Sequence, residues 1–368
     1  MKELSEIDKN FQTYAEYDEN EFVFYDIRKN DNFKVFGLYN PKEEPVFTRM
    51  PRDVADSVSE GVAILSRNTT GGRVRFKTDS NNILIKVKTP GLVNSTAMPL
   101  TANSGFSLYE TVNNRTRFVR VLSPSVGFKD NWIGSCAFES KRERYFTLYF
   151  PLYCSVDSLE IGIEKGAVLK SGGGYSYEKP VVFYGSSITQ GGCASRPGND
   201  YVAMACRKCD VDYINLGFSG NAKGEPAMAE YIASLDMSVF VCDYDHNAPT
   251  HEHLAETLPK FIDVIREKHP KVPIIFMSRP NFCYTEITDK FRRKHIFDEY
   301  ARRFAEGDKN VGFIDGGGLF IGDDSDACSV DCTHPNDAGM MKMAAAVSDV
   351  LNGYLPEAFD EQGDIYRD

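Results

Sequence analysis

Val181-Val182-Phe183-Tyr184-Gly185-Ser186-Ser187-Ile188-Thr189-Gln190-Gly191-Gly192 is the stretch of sequence that decides the fold. Its first four residues are apolar, which is typical of a buried strand in a parallel sheet. Apolar spacing that resumes after Asp200 predicts a helix. Ligands of open α/β sheets bind at the carboxyl ends of strands, so Ser187 is a candidate nucleophile. The same residues also fit a polar turn with helix-capping serines, and this stretch alone leaves both interpretations open.

Downstream of this stretch, short apolar strands alternate with amphipathic helices. The predicted strands lie at 211–216, 239–242, 274–277 and 311–314, and the predicted helices lie near 226–234, 252–268, 289–304 and 337–351. This alternation predicts a doubly wound parallel sheet with helices on both faces, in a C-terminal α/β domain at residues 178–355. The acidic tail from Pro356 is expected to be peripheral.

Upstream, residues from about Glu21 to Gly166 have the pattern of short strands. Apolar and basic residues alternate in 83–88, and turn residues separate the strands at 70–72, 79–82 and 113–114. This spacing predicts an antiparallel β-sandwich in an N-terminal domain at residues 1–172. The glycine-rich stretch at 170–180 is expected to join the two domains.

Composition limits the possible functions. The chain has 368 residues, 42% of them hydrophobic, and a net charge of −11, which argues against nucleic-acid or anionic-membrane partners. The first eight residues lack the apolar core of a signal peptide, and no apolar run has the length of a membrane span. With an odd count of nine cysteines, these features favour reduced thiols in the cytoplasm. Cys206 and Cys209 have no second ligand pair at zinc-finger spacing, so we expect a structural role for them.

Three further polar clusters follow predicted strands of the second half. They lie at 215–222, which includes Gly220, at 243–249 and at 331–336, and all six histidines lie after residue 245. An aspartate three residues before a histidine can orient that histidine as a base towards a serine. Each cluster alone also has a structural interpretation: Gly220 as a turn, Asp243 and Asp245 as helix caps, and Asp331 as a partner of His334 at a helix start.

The motifs resemble the four signature blocks of the SGNH (GDSL-like) hydrolases: Gly185-Ser186-Ser187-Ile188-Thr189, Gly220, Asn247 and Asp331-x-x-His334. The resemblance implies a flavodoxin-like domain that hydrolyses esters, with Ser187 as nucleophile, His334 as base and Asp331 orienting the histidine. It also implies an oxyanion hole formed by the N–H groups of Ser187 and Gly220 and by the side chain of Asn247.

The N-terminal half carries a resemblance of its own. Gly105-Phe106-Ser107-Leu108-Tyr109 is similar to the Gly-x-Asp-Leu-Tyr signature of the jelly-roll-like β-sandwich that precedes some SGNH hydrolases, with Ser107 in place of aspartate. Two further positions depart from the family pattern. Ser186 replaces the aspartate before the nucleophile, and the block around Asn247 lacks its glycine. His246, in that block, is expected to be a packed or surface residue rather than a second base.

The resemblance implies a serine acetylesterase that acts on oligosaccharides. Serine-based chemistry needs no metal, and the acidic residues have no arrangement typical of a cation site, so we expect no metal or cofactor. An acyltransferase on the same scaffold and a non-catalytic carbohydrate-binding protein are the alternatives. Trp132 is a candidate for stacking on a sugar ring, although it also fits a sandwich core or a domain interface. Arg279, after a predicted strand, is a candidate for the substrate cleft or for a structural ion pair. The sequence leaves the oligomeric state open.

Overall fold

The computed structural model describes residues 7–8, 17–91, 95–113, 115–281, 287–322 and 324–355, and the tail from Pro356 lies outside these ranges. The chain divides into two compact units. The first contains residues up to 48 together with 67–174, and the second contains 49–66 together with the chain from 175 onward. Each unit is described below by itself.

The first unit is an antiparallel β-sandwich. Its strands are β1 (Phe22–Asp26), β2 (Lys34–Phe36), β3 (Arg73–Thr78), β4 (Asn82–Lys88), β5 (Phe106–Val112), β6 (Arg115–Leu122), β7 (Asn131–Ala137), β8 (Arg144–Tyr149), β9 (Ser158–Glu164) and β10 (Leu169–Ser171). One sheet has the order β1-β9-β4-β7, and the other has the order β10-β3-β8-β5-β6, with β2 paired to β3. One helical turn, Leu100–Asn103, precedes β5.

Apolar side chains at alternate positions of the strands form the core of the sandwich. Ile83, Ile85 and Val87 of β4 point into the same apolar cluster as Phe146 and Leu148 of β8. Successive side chains of a strand point to opposite faces, so each sheet buries one face on this cluster. The antiparallel sandwich predicted from the sequence is confirmed.

The second unit is an α/β fold around a parallel sheet. Its elements are α1 (Arg52–Val58), α2 (Glu60–Leu65), β11 (Val181–Gly185), α3 (Ser187–Gln190), α4 (Tyr201–Lys208), β12 (Tyr213–Gly217), α5 (Pro226–Ser234), β13 (Val239–Asp243), α6 (His251–Lys268), β14 (Ile274–Met277), α7 (Ile287–Ala305), β15 (Val311–Ile314) and α8 (Asp337–Tyr354). The strand order is β12-β11-β13-β14-β15, and every pairing is parallel. The parallel α/β sheet predicted from the sequence is confirmed.

The strand order places a functional position at the end of β11. This strand lies between β12 and β13. After β11 the chain first forms the neighbouring strand on one side, β12, and then the neighbouring strand on the other side, β13. Open parallel sheets bind ligands at such a switch point, outside the carboxyl ends of the strands. The register sets Gly185 beside Gly217 on one side and beside Asp243 on the other.

Segment 49–66 belongs to the second unit, whereas the sequence analysis placed it within an N-terminal domain at 1–172. The buried guanidinium of Arg49 explains this assignment. Its Nη1 donates hydrogen bonds to the carbonyls of Asn215 (2.9 Å) and Gly217 (2.7 Å), and its Nη2 donates to the carbonyl of Leu65 (2.7 Å). Arg49 thus holds the segment against the end of β12. Such long-range bonds leave no local pattern in the sequence.

No helix within the described ranges combines the length and the apolar composition needed to cross a membrane.

Candidate active site

Ser187 lies at the switch point, as the first residue of α3. The turn between β11 and α3 is tight: a Cβ at Gly185 would lie 2.1 Å from Thr189 Oγ1 and 2.5 Å from the carbonyl oxygen of Asp243. Only glycine fits at this position. Ser186 caps the helix by accepting a 3.2 Å hydrogen bond from the N–H of Ile188. The capping interpretation is therefore correct for Ser186, and Ser187 is left for another role.

Ser187 is hydrogen-bonded to His334. The Oγ of Ser187 lies 2.9 Å from His334 Nε2, and His334 Nδ1 lies 2.8 Å from Asp331 Oδ2. Since Nδ1–H donates to the carboxylate, Nε2 is the nitrogen that accepts from the serine hydroxyl. The three side chains that the sequence analysis selected at residues 187, 331 and 334 are thus in one hydrogen-bonded chain. In such a chain the histidine can take the serine proton as the oxygen attacks an electrophile.

Asp331 also fixes the backbone of its own loop. Its Oδ1 accepts hydrogen bonds from the N–H groups of Thr333 (3.1 Å) and His334 (2.7 Å). Partial burial raises the pKa of Asp331, but hydrogen bonds from the backbone and ring of His334, and its charge, outweigh this effect and lower the pKa overall. Asp331 is therefore held as the carboxylate that an orienting partner of histidine must be. Next to the loop, Asn336 caps α8 by accepting from the N–H groups of Ala338 and Gly339.

A buried network supports the turn that carries Ser187. Asp243, at the end of β13, accepts hydrogen bonds from Thr189 Oγ1 (2.9 Å) and Tyr201 OH (2.8 Å) on the same oxygen. The sequence allows Asp243 to cap the following helix, but Thr250 caps that helix, α6. A carboxylate at the carboxyl end of a strand beside the strand that leads to Ser187 was the signal available, and its hydroxyl partners could not be predicted.

Gly220 and Asn247 lie on the loops after β12 and β13. Gly220 has φ +69°, and apart from its chain neighbours no atom of the described residues lies within 4 Å of the place where its Cβ would be, so its backbone is open to a ligand. Gln190 Oε1 accepts a 3.0 Å hydrogen bond from the N–H of Ser219 and ties this loop to α3. Asn247 Oδ1 faces the N–H of Ala222 at 3.5 Å. With its oxygen turned to Ala222, the Asn247 amide presents its NH₂ group as a donor.

His246 and Arg279 lie near His334. Burial lowers the pKa of His246 to about 3, and the positive charges of Arg279 and His334 add to the effect. A histidine with this pKa is neutral at physiological pH and is a poor base. The backbone N–H of Arg279 donates a 3.0 Å hydrogen bond to Asp245 Oδ2. The half-buried side chain of Arg279 stays a predicted candidate for the substrate cleft or for a structural ion pair.

Trp132 is a core residue of the sandwich. Its side chain is 8% exposed, and its ring lies 5.9 Å from that of Phe106 and 6.4 Å from that of Phe128. A buried indole presents no face to a sugar ring, so the prediction that Trp132 stacks on a substrate is corrected to the core alternative.

The oxidation state of the cysteines differs in part from the prediction. Cys332, in the loop of Asp331 and His334, is disulfide-bonded, so the prediction of reduced thiols is wrong at this position. The other described cysteines, which include Cys206 and Cys209, are free thiols. Burial raises the pKa of Cys209 to about 11, which keeps it a protonated, unreactive thiol.

Both units match known families. Residues 178–352 match the model of the GDSL-like lipase/acylhydrolase family, and residues 22–169 match the model of the GxDLY N-terminus of SGNH-hydrolase-type esterases. No curated protein matched the chain.

Solved structures resemble the chain over most of its length. A GDSL-like lipase from Bacteroides ovatus ATCC 8483 is 27% identical, with a TM-score of 0.81, covering 90% of this chain and 98% of that one. The salicylyl-acyltransferase SsfX3 of a tetracycline biosynthetic pathway is 19% identical, with a TM-score of 0.75 and coverage of 91% and 99%. The acetyl xylan esterase Est2A of the rumen bacterium Butyrivibrio proteoclasticus is 13% identical, with a TM-score of 0.55 and coverage of 90% and 98%. The chain is thus a GxDLY-type N-terminal domain followed by a hydrolase domain of the GDSL-like lipase/acylhydrolase family.

Proposed function

We propose that the second unit hydrolyses carboxylic esters with Ser187 as nucleophile, His334 as general base and Asp331 as the group that orients His334. The observation that carries this proposal is the 2.9 Å contact from Ser187 Oγ to His334 Nε2, continued by the 2.8 Å contact from His334 Nδ1 to Asp331. Nucleophile, base and orienting carboxylate are the parts that serine-based acyl transfer needs.

In the first half of the reaction, Ser187 Oγ attacks the ester carbonyl carbon while its proton passes to His334 Nε2. The tetrahedral oxyanion accepts hydrogen bonds from the N–H groups of Ser187 and Gly220 and from the Asn247 amide. The carbon–oxygen bond to the alcohol then breaks, and His334 gives its proton to the departing alcohol. In the second half, His334 takes a proton from the water that attacks the acyl-serine. It returns this proton to Ser187 Oγ as the bond to the acyl carbon breaks and the carboxylic acid leaves.

The substrate that we propose is an O-acetylated oligosaccharide. The fold similarity to an acetyl xylan esterase, whose structure aligns with 90% of this chain, supports a sugar ester. Acyl transfer to an alcohol is the second candidate, because the structure of a salicylyl-acyltransferase is similar, with a TM-score of 0.75. A non-catalytic carbohydrate-binding protein is disfavoured by the complete chain of residues 187, 334 and 331.

The test compares the Ser187→Ala variant with the natural protein on p-nitrophenyl acetate. We expect a loss of at least roughly a thousandfold in kcat/KM, together with loss of fluorophosphonate labelling. Ser234→Ala, an exposed serine on α5, is the matched control and should keep both. A folded Ser187→Ala protein that retains most of its activity would contradict the proposal.

A second experiment addresses the substrate. Mass spectrometry of an acetylated xylo-oligosaccharide incubated with the enzyme should show loss of acetyl groups and release of acetate. Addition of an acceptor alcohol distinguishes the candidates, because an acyltransferase would form the acetylated acceptor in place of acetate.

A further inference from the structure

A cavity of about 350 Å³ opens at one end of the β-sandwich. Strands β5, β6 and β8 of one sheet contribute to it, together with the segment that connects β7 of the other sheet to β8. The lining residues are Glu110, Arg117, Phe118, Val119, Phe138, Glu139, Ser140, Arg142 and Arg144. A volume of this size lies in the range of small-molecule binding sites.

Three guanidinium groups converge on one buried carboxylate in this cavity. Glu110 Oε2 accepts a 2.8 Å hydrogen bond from Arg117 Nη2, whereas Arg142 Nη2 lies 2.5 Å and Arg144 Nε 3.7 Å from Oε1 as ion-pair contacts. The Glu110 side chain is 2% exposed. One carboxylate does not neutralise three guanidinium groups, and Glu139, the other acidic residue of the lining, is exposed. The cavity is therefore a local site of positive charge in a chain whose net charge is −11.

The arginines retain hydrogen-bonding capacity. The side chains of Arg117 and Arg142 are 63% and 44% exposed, and each uses one nitrogen on Glu110, although a guanidinium carries five N–H donors. Arg144 is buried, and its Nη1 and Nη2 donate to the carbonyls of Arg142 (3.2 Å) and Ser140 (2.5 Å), so it contributes charge and one donor, Nε, which has no hydrogen-bond partner among the described residues. Its guanidinium stacks over the ring of Phe138 at 4.3 Å, which fixes its plane. A purely structural ion pair with Glu110 would require fewer cations than this.

We propose that this cavity binds a small organic anion of sugar size, held through a carboxylate or phosphate group by Arg117, Arg142 and Arg144. Guanidinium groups match the geometry of both anions with paired N–H donors. Val119 and Phe138 supply an apolar wall for the uncharged part of the ligand. This site lies wholly within the first unit, and the proposal does not depend on the esterase activity proposed for Ser187.

Isothermal titration calorimetry on the full chain tests the proposal with three probes: glucuronate, glucose 6-phosphate and neutral glucose. We expect saturable binding of at least one of the two anions, weakened by added salt, and no binding of glucose. The better of the two anions identifies the group that the arginines hold. Arg117→Gln and Arg142→Gln should each weaken binding roughly tenfold, since each removes a charge-assisted contact.

Arg115→Gln is the matched control, because Arg115 is exposed on the same strand, β6, and does not line the cavity. It should bind like the natural protein, and thermal melting should show that all three variants are folded. The hydrolysis of p-nitrophenyl acetate should be unchanged in each. Equal affinity for glucose, no saturable binding of either anion up to about 10 mM, or an equal loss in Arg115→Gln would overturn the proposal.

Discussion

Thr189 Oγ1, two residues beyond Ser187, donates a 2.9 Å hydrogen bond to Asp243 Oδ2 on the neighbouring strand. Tyr201 OH donates to the same oxygen at 2.8 Å and lies 3.2 Å from Thr189 Oγ1. Complete burial, with the negative charge of Asp245 adding to it, raises the pKa of Asp243 to about 8. The turn that carries Ser187 is thus hydrogen-bonded to Asp243, a carboxyl group that is mostly protonated below about pH 8.

This pKa predicts a particular pH dependence of stability. Between the ordinary pKa of an aspartate and pH 8, the folded protein holds a proton on Asp243 that the unfolded chain lacks. The contribution of this group to the free energy of unfolding is therefore present at acidic pH and is lost as pH rises towards 8, with a slope of at most about 1.4 kcal/mol per pH unit. Asp243→Asn should remove that slope. Urea denaturation between pH 5 and 8 measures it.

Asp236→Asn is the control for this experiment, because the Asp236 side chain is 83% exposed and pairs with Lys179. It should leave the pH dependence of the free energy of unfolding as it is in the natural protein. If Asp243→Asn and the natural protein have parallel stability curves from pH 5 to 8, Asp243 is ionised in the folded state and the prediction is wrong.

The sequence predicted the parts of the site that are local and missed the parts that are long-range. The contact of Asp331 with His334 spans three residues, and the Gly185–Thr189 turn is continuous, so both are visible in the sequence. The bond from Thr189 to Asp243 spans 54 residues, and the bond from Arg49 to Asn215 spans 166. Such bonds depend on the order of strands in the sheet, which apolar patterns do not specify. Trp132 was misassigned because an amphipathic side chain suits a core as well as a binding site.

Asn247→Ala should lower kcat by about 10²–10³-fold and leave KM within a few-fold of its natural value. The Asn247 oxygen faces the N–H of Ala222, so we expect the NH₂ group to be the one that donates to the oxyanion. A donor that acts on the oxyanion stabilises the transition state more than the bound ester, and its loss is expected to cost about 2.7–4 kcal/mol of the barrier. Steady-state kinetics on p-nitrophenyl acetate measure the changes in kcat and in KM separately. A raised KM with an unchanged kcat would assign Asn247 to ground-state binding.

His246→Gln and His334→Ala should differ in their effects, because only His334 is proposed to transfer a proton. Because its pKa is about 3, His246 is unprotonated in the folded protein, whereas the unfolded chain takes up a proton below about pH 6.5. The free energy of unfolding therefore falls as pH drops from about 6.5 towards 3, and His246→Gln should reduce that fall. At pH 8 the variant should keep kcat within about tenfold, whereas His334→Ala should lose roughly a thousandfold or more. Equal losses in the two variants would show that His246 takes part in proton transfer.

Arg49→Ala should destabilise the second unit and leave the first as it is. The variant removes hydrogen bonds to the carbonyls of Leu65, Asn215 and Gly217, and the contact of the guanidinium with the Phe218 ring at 4.5 Å. Loss of charged donors to buried carbonyls is expected to lower the free energy of unfolding by about 3 kcal/mol. Arg52→Ala is the control, because that side chain is 75% exposed.

The full chain provides a separate signal for each unit in this experiment. Trp132 is the only tryptophan and lies in the sandwich core, so its fluorescence follows the first unit. Fluorophosphonate labelling of Ser187 follows the second. In a urea titration, Arg49→Ala should move the labelling midpoint to lower urea and leave the fluorescence midpoint unchanged, because the three carbonyls that its guanidinium binds belong to the α/β unit. A shift of both midpoints by the same amount would contradict the assignment of segment 49–66 to the second unit alone.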